Sequence, residues 1–325
     1  MGFRPTGWVL ALWALALFLA HGGLAHGAAG GREGRVYVLS QAAAALSAIA
    51  DGDDKIAFSI SLDKAPAALA LAPGAEIAYV THPDLGKVSV VDLAERRVLS
   101  SFAVAGSPFG IAAAKDGRLF VADWNGAHVS VLDARDGGLA KTIAVGRAPA
   151  HVLLTSDETL LFVANRESDS VSAVRTADLS IAATIPVGKA PFALAFSPDG
   201  RSLYVGNVQS GNVSVIDTAR LEVVETLPSG AMPYGAAMTP DGRRALITNQ
   251  QANTVSVLER GALPRAIKVG GYPEGIAVST DGARAYVANW FSDDVSVIDL
   301  GHLSELSRIK CPAGPRGIAI SHPPP

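Results

Sequence analysis

Phe192-Ala193-Leu194-Ala195-Phe196-Ser197-Pro198-Asp199-Gly200-Arg201-Ser202-Leu203-Tyr204-Val205-Gly206-Asn207 reads as a strand, a tight turn and a second strand. Proline at 198 presets φ, and glycine at 200 accepts a positive φ, so residues 197–200 turn the chain between two apolar runs. Val213-Ser214-Val215-Ile216-Asp217 and Val223-Val224-Glu225-Thr226-Leu227 follow as a third and a fourth run. Short β-branched runs bounded by Gly, Pro, Asn and Asp are strands. The unit is therefore four strands long.

It repeats. Val-Ser-Val or a near variant starts at Val88, Val129, Val171, Val213, Val255 and Val295, and a proline recurs at Pro66, Pro108, Pro149, Pro191, Pro233, Pro273 and Pro315. Two separate markers keep one spacing, about 42 residues, which is the length of a four-stranded propeller blade. The chain ends settle how the ring closes. Val36-Tyr37-Val38-Leu39 has the pattern of a second strand, with no innermost strand before it, while Pro315-Arg316-Gly317-Ile318-Ala319-Ile320 is an innermost strand with nothing after it. Joining the two completes the first blade and removes a free sheet edge. An all-β, seven-bladed propeller of four-stranded blades over residues 35–321 is expected.

Composition agrees with such a fold and narrows its setting. Of 325 residues, 49% are hydrophobic and 18% charged, too apolar for a disordered chain. The net charge of −3 argues against non-specific binding to nucleic acid or anionic lipid. Arg4, the apolar run from Trp8 to Ala20 and the small-residue stretch 22–29 have the layout of a cleavable signal peptide, assigned to residues 1–28. The mature chain is expected in the periplasm or outside the cell, as a monomer with no membrane span. Its one cysteine, Cys311, can form no internal disulfide and is expected to be buried in an outer strand. No Cys-x-x-Cys-His occurs, which excludes covalent c-type haem, and no cofactor is expected.

Tyr79-Val80-Thr81-His82, Phe162-Val163-Ala164-Asn165, Leu246-Ile247-Thr248-Asn249 and Tyr286-Val287-Ala288-Asn289, each followed by a strand such as Val295-Ser296-Val297-Ile298-Asp299, resemble the signature of YVTN-repeat β-propellers. The resemblance covers the mature chain and extends to YncE-like periplasmic propellers and those found beside PQQ-dependent dehydrogenase systems. It implies an extracytoplasmic binding or accessory role, with a periplasmic redox system among the candidate partners. The family also borders on lactonase-like and haem-bearing propellers.

Alignment of the repeats shows where they stop being equivalent. The residue closing each second strand is Ser40, His82, Asp123, Asn165, Asn207, Asn249 or Asn289, and the next is Gln41, Pro83, Trp124, Arg166, Val208, Gln250 or Trp290. After the recurring prolines stand Ala67, Phe109, Ala150, Phe192, Tyr234, Glu274 and Arg316. In the fold that the resemblance implies, these positions gather around the channel on one face. Phe109, Trp124, Phe192, Tyr234, Trp290, Arg166, Glu274 and Arg316 would make an aromatic funnel with a few charges, suited to a partner protein or small ligand. Alternatively the rings pack on one another and plug the channel. Trp124 and Trp290 are placed on loop tips, and Glu274 with Arg316 is read as an ion pair at the rim. His82, Asp123 and His151 could in principle converge as a metal-ligand set. A lactonase-like or metal-dependent enzyme at the same mouth is the alternative to a binding protein.

Overall fold

The computed structural model describes residues 34–50, 55–74 and 76–321. These residues form seven sheets of four antiparallel strands each, wound in sequence order except in one blade. That blade is the first. Pro315–Ser321 pairs with Arg35–Ser40, which pairs with Ala45–Ala50 and then Ile56–Ser61. The register sets Val36 against Ile320 and Val38 against Ile318. Beyond the strand ends, the Gln41 and Ala43 amides donate to the Gly314 and Ala313 carbonyls. The ring closes as the end-strand pattern predicts. The signal-peptide assignment lies outside the described residues, and among those residues no helix is long and apolar enough to cross a membrane.

Period-2 alternation within central strands would usually mean one wet face. Here both faces are buried, because each sheet packs between two others. In the third blade, Val129 and Val131 join a cluster with Val152, Leu161 and Val163 of the fourth. Leu119, Val121 and Leu132 of the same sheet join Tyr79 and Val88 of the second. The junction of the seventh blade with the first is built alike, with Tyr286, Val295 and Val297 against Val36, Val38 and Ile320. The outermost strands keep one wet face: Leu99, Leu139, Val224 and Leu306 are exposed. Cys311 follows the last outer strand, Ser304–Lys310, instead of lying in it. It is half-buried against the same closing cluster, and burial pushes its thiol up to about 12.

Buried polar pairs explain the rest of the repeat. The serine of each Val-Ser-Val sits inside the sheet, where an unpaired hydroxyl would cost about 1–3 kcal/mol. In four blades its partner is the asparagine seven residues earlier. The Nδ2 groups of Asn165, Asn207, Asn249 and Asn289 donate to Ser172, Ser214, Ser256 and Ser296 at 2.8–2.9 Å. The Oδ1 atoms of Asn165 and Asn249 accept from the Gly146 and Gly230 amides of the incoming loop. A Cβ on either glycine would fall 2.6 Å from the asparagine side chain, so the loop needs glycine there.

Removing the closing strand tests this architecture. A chain ending at Gly314 leaves one edge of Arg35–Ser40 unpaired and uncovers one side of the Val36–Val38 cluster. It is expected to lose the single cooperative unfolding transition of the full chain or to associate through the open edge, read by chemical denaturation with size-exclusion chromatography.

Candidate functional site

The innermost strands bulge directly after their prolines. Pro108 pairs with Asp123, but the next pair is Ile111 with Val121. Pro191 and Pro273 repeat the slip, and Pro233 skips one residue, Tyr234. In the first blade Ser40 faces Pro315 and Leu39 faces Gly317, leaving Arg316 out of register. A bulge re-aims the residue it releases. Phe109, Phe192, Tyr234, Glu274 and Arg316 thus leave the ladder and line the central cavity, of about 160 Å³.

There they touch one another. Phe109 lies 4.6 Å from Trp124 and 5.9 Å from Phe192, centroid to centroid, and Phe192 stacks on Tyr234 at 4.0 Å. The Arg166 guanidinium stands over Trp124 at 5.6 Å, and that of Arg316 over Phe109 at 5.2 Å and Trp290 at 5.9 Å. All eight funnel residues of the sequence reading belong to one connected network, and much of it is ring-on-ring packing. The two tryptophans are half-buried in this network and do not stand on loop tips. Both lie one residue past a second strand, where the amide still donates to the loop entering the blade, at the Ser107 and Tyr272 carbonyls. The exposed aromatic is one the alignment passed over: Phe291 is 71% exposed and packs on Tyr272 at 4.6 Å. It follows Trp290 directly, so the same register of repeats would have located it.

Glu274 and Arg316 do pair between adjacent blades, Oε2 to Nε at 3.1 Å, but inside the molecule and not at its rim. Glu274 is 5% exposed and the Arg316 side chain 17%. Arg316 also donates to the Gln41 Oε1 and to the Tyr234 hydroxyl, and the Gln250 amide donates to Glu274 Oε1. Burial still dominates the carboxyl, raising Glu274 to about 7 against the pull of Arg316 and Gln250. Burial likewise lifts the Tyr234 phenol to about 12, so it stays protonated.

His82, Asp123 and His151 are not brought together, and among the described residues no three His, Cys, Asp or Glu side chains are grouped to hold a metal. Each has a separate structural partner. His82 is wholly buried in the place of the repeat asparagine: Nδ1 bonds the Lys64 carbonyl, and Nε2 meets Ser89 Oγ at 3.0 Å. Since a carbonyl only accepts, Nδ1 carries the proton and Nε2 accepts from the serine. Asp123 holds the incoming loop, accepting from the Ser107 amide at 2.8 Å. His151 lines the channel, and its Nδ1 accepts from the Leu194 amide of the next blade. Its burial lowers it to about 4, so the ring is neutral.

A family model described as a YNCE-like beta-propeller matches residues 35–325. No curated protein matches the chain significantly in sequence. Among solved structures, the periplasmic gluconolactonase PpgL of Pseudomonas aeruginosa superposes with a TM-score of 0.76 at 20% identity, over 90% of this chain and 99% of that one. A putative 6-phosphogluconolactonase from Bacteroides uniformis gives 0.76 at 15% identity, over 89% and 100%. Hydrazine synthase of Kuenenia stuttgartiensis gives 0.71 at 20%, over 78% and 88%. At these identities the likeness is one of fold.

The histidine substitution supplies a test. His82→Asn restores the residue found in four other blades and is expected to unfold within about 1 kcal/mol of the parent, whereas His82→Ala strands Ser89 and the Lys64 carbonyl at a cost of roughly 2 kcal/mol or more. Chemical denaturation of both variants separates the two outcomes.

Proposed function

The chain belongs to the YNCE-like β-propeller family, and we propose that it is an exported, non-enzymatic binding protein of the periplasm or cell exterior that takes a partner protein or small ligand at the aromatic mouth. One observation carries this reading. Seven near-equivalent blades diverge at the positions that meet around one end of the channel, and there they supply Trp124, Trp290, Phe109, Phe192 and Tyr234 with Arg166 and Arg316. Half-buried tryptophans backed by other rings lose little side-chain entropy on contact, which is what makes such residues binding anchors. The fold by itself says nothing of activity. Export rests on the signal-like segment and agrees with the YncE-like resemblance.

A photo-crosslinker at Arg166 in the secreted protein tests the mouth directly. A discrete crosslinked species is expected from the parent and at least a tenfold loss from a Trp124→Ala, Trp290→Ala double variant of unchanged circular dichroism. Equal crosslinking by both would overturn the reading.

A hydrolytic function has one observation in its favour, the Glu274 carboxyl held near 7 beside Arg316 and Tyr234. A base poised there could take a proton at neutral pH. If this reading holds, gluconolactone opening rises with pH through about 7 as Glu274 ionises and falls at least 100-fold in Glu274→Gln. Hydrolysis no faster than in buffer removes it.

A further inference from the structure

Below the mouth, the cavity holds polar groups that the protein leaves partly unsatisfied. Glu274 Oε2 is buried and makes no hydrogen bond; Arg316 Nε is close enough for an ion pair but is not aligned to donate. On another blade's innermost strand, His151 uses Nδ1 as acceptor for the Leu194 amide, which places its proton on Nε2. Among the described residues Nε2 has no hydrogen-bond partner, and His151 lines the same cavity as Glu274. The Tyr234 hydroxyl accepts from Arg316, so its own proton is available. The other walls are apolar, among them the Phe192 and Tyr234 rings with Leu69 and Ile318.

His151 is the departure from the repeat that makes this possible. The equivalent residue is Ala68, Gly110, Ala193, Gly235, Gly275 or Gly317. A Cβ on Gly110 or Gly235 would fall about 2 Å from the carbonyl oxygen of the next blade, so those strands approach too closely to carry a side chain. Only the fourth blade puts a hydrogen-bonding side chain at this level.

We propose that the central channel binds a small neutral polyhydroxyl molecule between His151 on one side and Glu274 with Tyr234 on the other. The inference deepens the binding reading above, naming a ligand class, and rests on it. The charge balance selects neutrality. Above about pH 7 Glu274 is ionised and offsets Arg316, and His151 is neutral, so an added ionic ligand would bring an uncompensated charge into a mostly buried space, and selectivity is read at pH 8. The hydrogen-bond inventory selects hydroxyls. One group must donate to Glu274 and another accept from His151, and a hydroxyl does either, including when Glu274 is protonated. A polyol's C–H faces suit the Phe192 and Tyr234 rings. The cavity, about 160 Å³ against roughly 10–15 Å³ for a water on the same scale, has room for a molecule of a few carbons.

Titration calorimetry and ligand-observed NMR on the mature chain, with erythritol, xylitol and glucitol as probes, decide this. Saturable binding in the millimolar range is expected, at least tenfold tighter than gluconate or glucosamine, with competition between polyols. His151→Ala, a residue two other blades carry there, is expected to weaken polyol binding about tenfold while the folded spectrum is kept. The selectivity of the parent protein stands as a test whether or not that variant folds. No saturable polyol binding, or binding of the charged analogues as tight as that of the polyols, overturns the proposal. So does a folded His151→Ala variant with unchanged affinity. Failure here with tryptophan-dependent crosslinking intact removes the ligand class and leaves the mouth reading in place. Polyol binding without tryptophan-dependent crosslinking supports the channel site and removes the mouth as a partner surface.

Discussion

The hydrogen bond from the asparagine that ends the second strand in four blades to the serine seven residues later is the interaction on which the rest of those blades depends. It pairs two polar side chains that the packed sheets bury. At Asn165 and Asn249 the Oδ1 also accepts from a glycine amide of the incoming loop and draws that loop against the strand end. That loop leads into the proline, and the proline leads into the bulge. In the sixth blade the position of Tyr234 is thus tied back to the buried amide of Asn249. Two of the three replacements keep part of the job: His82 reaches Ser89 and the Lys64 carbonyl, and Asp123 holds the Ser107 amide, while the buried Ser40 Oγ makes no hydrogen bond.

The bulge then converts a repetitive scaffold into an asymmetric one. Released from the ladder, the residue after each proline owes little to the core and can vary. The seven positions carry Phe, Tyr, Glu, Arg or Ala with no common size or charge. Cross-blade bonds hold the ring while this happens. The Thr81 hydroxyl donates to the Phe109 carbonyl at 2.7 Å and the Thr248 hydroxyl to that of Glu274 at 2.6 Å. The rigidity of the wall and the freedom of the lining therefore arise from different atoms of the same strands.

The period, the blade count and the ring closure were legible in the chain because they follow from local rules: alternation, turn residues and a strand missing at one end. The list of mouth residues was legible too, since aligned repeats share one geometry. Their environment was not. Glu274 and Arg316 look like rim charges in an alignment, and only the convergence of seven strands on one axis buries them. His82 looks like an exception to a surface asparagine, when the asparagine is itself internal. Trp124 and Trp290 look like loop tips because the alignment marks the end of a strand and not what packs over it.

By itself the sequence determined which residues form strands, how many blades there are, that the ends join, and which positions escape the repeat, because each depends on neighbours within about 42 residues. Only the tertiary structure decided which of those positions share a cavity, which are deprived of water and which atoms are left without a partner. Those properties belong to contacts between blades, where residues as far apart as Tyr234 and Arg316 meet. Spacing along the chain carries no record of such distances.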